Sequence, residues 1–454
     1  AGFPFAADPQ TAVFYPPRWL TLLLARPWDF SMYALQVEAL LHVWLAGVFT
    51  YFLAFALSQR HVAALLAALA FGLGGYLTSY PIQQLAVLES VIWLPLILLL
   101  LRRGVDSARP VPWLVGAGFG LALSALAGHP QSFLHVSYMA AAYFLFLTVR
   151  ARWSWGWVVK LGGLVMGTAI GVAAVALLPT LHFMLYTTRR SVNYSFTSRG
   201  LPLEDYVQLI LPALRSHWTP EYSGMAALLL LLVAWYGRRA RNIPSAQTAE
   251  IYFWSATALL AGWLAMGDNG ILFQLAYGVL PGFRLFQQQE RLLSLVSLSV
   301  ALLLALGLSV WTQTDPATRR RLWQASGWTT AVFLLLAALY AQANPSFAGQ
   351  PWPALWLRQA AMLALIMLLL AVQSTAKPRQ TRFLLLLFIP LLAADLYVNT
   401  SSSVDRHPGS PDAFWPQDAW LQQLRAEQPP LARIDSQNLL HANLGAAYDL
   451  EDIH

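Results

Sequence analysis

Twelve apolar runs, at about 36-57, 62-80, 86-101, 112-128, 131-149, 158-179, 224-237, 250-266, 292-312, 326-342, 358-372 and 383-398, take up nearly half of this 454-residue chain. A helix needs about 20 apolar residues to cross the hydrocarbon core of a bilayer, and most of these runs approach that length. In lipid every backbone N–H and C=O must be satisfied internally, so the runs predict helices. A soluble globule is excluded by the charge supply: 11% of residues are Asp, Glu, Lys or Arg, against about 25% in an ordinary soluble domain. The 19 Trp and 17 Tyr suit the two membrane interfaces, where one end of the ring is wet. The expected fold class is an all-α polytopic membrane protein with about 12 transmembrane helices.

The net charge of +7 and pI near 9.7 could suggest nucleic acid, but the placement of the basic residues decides otherwise. Alternate short connections hold Arg60; Arg102, Arg103 and Arg109; Arg150, Arg152 and Lys160; Arg238, Arg239 and Arg241; Arg319, Arg320 and Arg321; and Lys377, Arg379 and Arg382. These are 16 of the 28 basic residues, joined by only Asp106, Glu250 and Asp315. By the positive-inside rule these loops are cytoplasmic. The basic balance is therefore a topology signal, and no nucleic-acid partner is expected. The inner loops are too short for a domain, so any chemistry belongs to the opposite side. The expected location is a bacterial cytoplasmic membrane, with both ends of the chain outside the cytoplasm.

Three regions follow. Residues 1-35 form a first outer loop, in which 18-32 combine an apolar face with Arg and Trp as an interfacial helix does. Residues 36-398 form the helical domain, with long outer connections at 180-223 and 267-291. Residues 399-454 read as the start of an outer C-terminal domain. Ala1 is preceded by neither a Met nor an apolar leader, so a span before it is expected, giving about 13-14 spans in all, and the tail is expected to continue beyond His454. Without cysteine, thiol chemistry and disulfide staples are excluded.

HExxH, Walker A and GxSxG signatures are absent, and the glycines at 116, 118 and 120 and at 163, 167 and 171 lie inside apolar runs as helix-packing surfaces. The candidate groups are polar residues where outer loops meet spans. Asp8, in an apolar and aromatic stretch, is placed to act as a general base or as a ligand to a divalent cation, with Gln10 beside it. Glu89 lies inside a span, where a carboxylate is costly and therefore a catalytic candidate; Glu38 and His42, one turn apart, suit a helix-helix hydrogen bond. His129 and Gln131 form an outer corner suited to phosphate or sugar contacts. Arg291, next to Glu290, stands where a lipid phosphate would lie, and Arg189 and Arg190 offer the same chemistry.

Several short motifs resemble the YfhO-type bacterial membrane proteins. They are Gly2-Phe-Pro-Phe-Ala-Ala-Asp8-Pro-Gln10 with Tyr15-Pro16, His42 through Gly47 to Tyr51, Trp93-Leu-Pro-Leu, Ala127-Gly-His-Pro-Gln131, Pro281-Gly-Phe with Glu290-Arg291, and Asn443-Leu-Gly-Ala-Ala-Tyr448. The resemblance implies a GT-C-like bundle and transfer of a sugar from a polyprenyl-phosphate-linked donor to an extracytoplasmic acceptor, a cell-wall polymer or surface glycan. It also implies an acidic catalytic residue in the first outer loop, at Asp8. Where that family tends to have Phe-Arg-x-Pro-x-Arg, this chain has Phe286-Gln-Gln-Gln-Glu290-Arg291, which leaves Arg291 alone to meet the phosphate. A polytopic transporter or lipid flippase and a non-catalytic cell-envelope assembly protein stay open as other readings.

Overall fold

The computed structural model describes residues 4–28, 32–187, 192–216, 218–376, 378–401 and 419–427. In chain order the helices are α1 (Pro16–Ala25), α2 (Met32–Ser58), α3 (His61–Gly72), α4 (Gly75–Thr78), α5 (Tyr80–Gln83), α6 (Leu85–Val91), α7 (Leu94–Asp106), α8 (Pro110–Leu126), α9 (Pro130–Arg150) and α10 (Trp155–Met184). They continue with α11 (Tyr194–Thr197), α12 (Met225–Gly237), α13 (Ser245–Ala265), α14 (Ile271–Val279), α15 (Leu293–Gln313), α16 (Pro316–Ala343), α17 (Trp352–Thr375), α18 (Pro378–Leu386), α19 (Phe388–Thr400) and α20 (Ala419–Glu427). The fold is an all-α, multi-pass membrane bundle, with no strand among the described residues.

Every apolar run lies on helix. Among the described residues nine helical segments are long and apolar enough to cross a membrane, while α8 and α12 are shorter apolar helices. The remaining run falls on α13, whose polar first turns lower its hydropathy. Two boundaries differ from the sequence reading. α10 runs through Pro179 to Met184, since a proline late in a membrane helix removes one hydrogen bond that neighbouring groups can replace. Within 267-291, read as loop, lies α14, whose Ile271, Leu275 and Val279 are exposed. Those residues recur every fourth position, so α14 carries an apolar stripe, as does α1 with Trp19, Leu20, Leu23 and Leu24 exposed.

The bundle is built around α15, buried at every residue from Leu293 to Trp311. It packs against α12, α13, α3 and α2. Lipid supplies no hydrophobic drive between apolar helices, so close van der Waals approach has to hold them. Gly307 permits that approach: a Cβ there would lie 1.9 Å from the Leu230 carbonyl oxygen of α12. α10, by contrast, lies at the periphery, with Leu178, Leu181 and Leu185 exposed.

The two ends of the bundle are locked by different charge clusters. At one end buried Glu250 of α13 accepts hydrogen bonds from Arg102 Nη1 at 2.6 Å, Arg150 Nη1 at 2.9 Å and Trp254 Nε1 at 3.1 Å. One acid thus gathers the last turns of α7 and α9 onto the first turns of α13. At the other end lie the first loop, the corner before α9 and the approach to α15.

Candidate functional site

The first loop is shaped by Asp8. Its Oδ1 accepts the Gln10 backbone N–H at 2.9 Å and caps the short 3-10 turn Pro9–Thr11. Thr11 Oγ1 donates to the carbonyls of Asp8 and Phe5 at 2.8 and 3.0 Å, closing the loop on itself. Asp8 stays half-buried and Gln10 exposed.

What fixes this loop to the bundle is the segment just after it. Tyr15 is fully buried; its hydroxyl lies 2.8 Å from His42 Nε2 and accepts the Trp93 indole N–H at 3.1 Å. His42 Nδ1 faces the Glu38 carbonyl oxygen at 2.7 Å, an acceptor, so the imidazole proton sits on Nδ1 and Nε2 accepts from Tyr15. Arg18 of α1 reaches down between α2 and α6. Its Nε lies 3.0 Å from both oxygens of Glu38, and its Nη2 lies 2.9 Å from Glu89 Oε1.

The corner before α9 is set by Gly128, whose φ of +93° lies where glycine meets no Cβ penalty. A Cβ there would also lie 2.0 Å from the Pro9 carbonyl oxygen, so the glycine lets the corner touch the Asp8 loop. The next residue, His129, caps α9: Nδ1 accepts from the Ser132 N–H at 3.1 Å, and Pro130 opens the helix with no N–H to satisfy. From the other side, Thr180 of α10 donates to the Ala7 carbonyl at 3.0 Å and holds the loop against the last turns of that helix.

Arg291 comes from the turn Gln289–Leu292 that leads into α15. Gln289 is buried and donates to the carbonyls of Thr197 and Phe286 at 2.9 and 2.8 Å, fixing the turn. Arg291 Nη1 donates to Gln131 Oε1 at 2.7 Å, while Gln131 Nε2 donates to the Gln288 carbonyl at 3.3 Å. Gln131 is thereby used up in aiming the arginine. Arg291 Nε is buried without a hydrogen-bond partner, and no acid forms an ion pair with this guanidinium among the described residues. A half-buried guanidinium whose hydrogen-bond partner is a neutral amide keeps charge available to an anion.

These parts enclose a cavity of about 480 Å³. Asp8, Gln10, Thr11, His129, Gln131, Thr180, Thr187, Gln287 and Arg291 are its polar lining, and Leu126, Phe133, Leu177, Leu181, Met184 and Phe286 are among its apolar walls. Asp8, Gln10, His129, Gln131 and Arg291, chosen from sequence, thus share one site. Thr180 and Gln287 join them and were not singled out; nothing in an apolar helix end or a run of glutamines marks such residues in advance.

Glu89 and Glu290 do not line the cavity. Glu89 is fully buried against Arg18. Glu290 is next to Arg291, but consecutive residues of a helical turn point in different directions. Arg189 and Arg190 lie outside the described residues. The His129 imidazole is held neutral: burial, then the positive charge of Arg291, push its pKa down to about 3.

Two donor sets bear on a metal ion. Glu38, His42 and Glu89 bring ligand atoms within 4.8 Å of one another, but Arg18 occupies both carboxylates and both His42 nitrogens are engaged. Asp8 is the one carboxylate in the described lining of the cavity, whereas Ca²⁺ and Mg²⁺ take about six or more oxygen ligands. Neither set makes a cage for a divalent cation.

No protein-family model matches the chain, and no curated protein matches it in sequence. Among solved structures it is similar to ArnT from Cupriavidus metallidurans, determined bound to undecaprenyl phosphate. The identity is 14% and the TM-score 0.45, over 96% of this chain and 74% of that one.

Proposed function

We propose that this protein is a membrane glycosyltransferase of the GT-C type, which moves a sugar from a polyprenyl-phosphate carrier to an acceptor hydroxyl outside the cytoplasm, on a cell-wall polymer or surface glycan. The observation that carries this reading is the pairing, in one apolar-walled cavity, of a carboxylate at Asp8 with a guanidinium at Arg291 that has only an amide for company. Transfer has two electrostatic demands. The acceptor oxygen loses its proton as it bonds to the anomeric carbon, and the carbon–oxygen bond to phosphate breaks, leaving its electron pair on the phosphate. Asp8 takes the proton. Arg291 meets the phosphate, and the apolar flank of α10 accommodates the first isoprene units.

The location also favours chemistry on a lipid-linked substrate over transport. His129 precedes α9, Arg291 precedes α15, and Thr180 and Met184 end α10, so the cavity sits at helix ends. Secondary transporters place their sites near the midplane, on broken helices.

Asp8→Asn tests the reading cleanly, because asparagine caps a helical turn as well as aspartate does and keeps the loop in shape. Sugar transfer from a polyprenyl-phosphate donor by the full-length protein should fall by about 10²- to 10⁴-fold, the usual worth of a general base, with expression and membrane insertion unchanged. Near-wild-type transfer would remove Asp8 from the mechanism.

A further inference from the structure

We propose that His129 is a neutral hydrogen-bond donor to the phosphate of the lipid-linked substrate, its tautomer locked by the helix that it caps. The lock is visible at Nδ1. The Ser132 backbone nitrogen 3.1 Å away carries a hydrogen and can only donate, so Nδ1 presents its lone pair, and the proton of the neutral ring resides on Nε2. Ser132 Oγ, 2.8 Å from the same nitrogen, adds a second contact on that side.

The opposite nitrogen has nothing to bind. His129 is 6% exposed and lines the cavity, and Nε2 has no partner among the described residues. An N–H with no protein partner at the wall of a cavity is free to donate to whatever acceptor the cavity holds. Gln131 does not supply one: its oxygen accepts from Arg291 and its amide donates to the Gln288 carbonyl. Two donors, one charged and one neutral, therefore line the same cavity, and an oxyanion satisfies both. The division of labour is chemical: Arg291 supplies the charge, and His129 supplies direction without a second buried cation. With its cavity-facing nitrogen already protonated, the ring cannot take a proton from the acceptor, so the base role stays with Asp8.

This inference rests on the glycosyltransferase reading, and one experiment separates the two. Undecaprenyl phosphate and inorganic phosphate are titrated into the full-length protein in nanodiscs, for wild type, His129→Asn and His129→Gln, with thermal melting recorded alongside. Asparagine keeps the cap at the Nδ1 position and lacks the distal N–H; glutamine carries an N–H to the Nε2 position and loses the cap. His129→Asn should melt like wild type and bind undecaprenyl phosphate about tenfold more weakly, the worth of one hydrogen bond to a charged acceptor. His129→Gln should bind within about threefold of wild type and melt lower, for it forfeits the cap instead. Wild-type binding by His129→Asn, or losses in both variants that track melting alone, would overturn the donor role. Failure of the wild-type protein itself to bind undecaprenyl phosphate would overturn the glycosyltransferase reading as well, and equal binding of inorganic phosphate would reduce the site to a plain anion pocket.

Discussion

Arg18 and Arg291 both lie just ahead of long apolar helices at the same end of the bundle, yet one is finished and the other is not. Arg18 is clamped by two buried carboxylates, Glu38 at 2% and Glu89 at 0% exposure. Among the described residues the Arg291 guanidinium hydrogen-bonds only the amide of Gln131, and its Nε has no hydrogen-bond partner. A guanidinium already answered by two carboxylates has little charge left to offer a ligand, while a cation held by a neutral dipole keeps its charge for something else. On the proposed function, the difference makes one arginine architectural and leaves the other for recognition. The two are connected, because Arg18 and Tyr15 anchor α1 and so place the Asp8 loop opposite Arg291.

The largest effect on stability should follow Arg18→Met. It strands two carboxylates in the bundle without their cation, and breaking a buried pair by removing one partner costs about 3–5 kcal/mol. Chemical denaturation in mild detergent measures it. A loss under about 1 kcal/mol, the range of a solvated surface pair, would erase the distinction between the two arginines.

Gln131→Glu attacks the comparison from the other side by completing Arg291. A carboxylate at the Gln131 Oε1 position, 2.7 Å from Nη1, would make Arg291 resemble Arg18. Undecaprenyl phosphate should then bind at least about tenfold more weakly, as an internal anion competes for the charge, with stability held or slightly raised. Unchanged binding would mean that the arginine never met the phosphate.

The helical bundle was legible because apolar runs in a chain so short of charge have few other solutions. The convergence of Asp8, His129 and Arg291 was partly legible too, since each stands where a loop meets a span. Partnerships across long separations were not. Nothing in sequence says that Arg18, 71 positions before Glu89, is its counter-ion. Likewise nothing in sequence pairs Gln131 with the arginine 160 positions away. α14 was hidden because a nine-residue helix is too short to announce itself against loop sequence on every side.

The smallest effect should come from Glu89→Gln, and it is the sharpest check on whether Glu89 serves architecture or chemistry. Arg18 meets Glu38 through both oxygens, so one carboxylate already neutralises it, and Glu89 is the second acid on a single guanidinium. Its Oε2 is buried with no partner. Glutamine keeps an oxygen for Arg18 Nη2 and removes the surplus charge, exchanging a charge-assisted bond for relief from desolvation and repulsion. The net change in stability should stay within about 1 kcal/mol, in contrast to Arg18→Met, and sugar transfer should continue at near the wild-type rate. A loss of transfer as deep as that of Asp8→Asn, with stability intact, would instead make Glu89 part of the chemistry and Arg18 its activating partner.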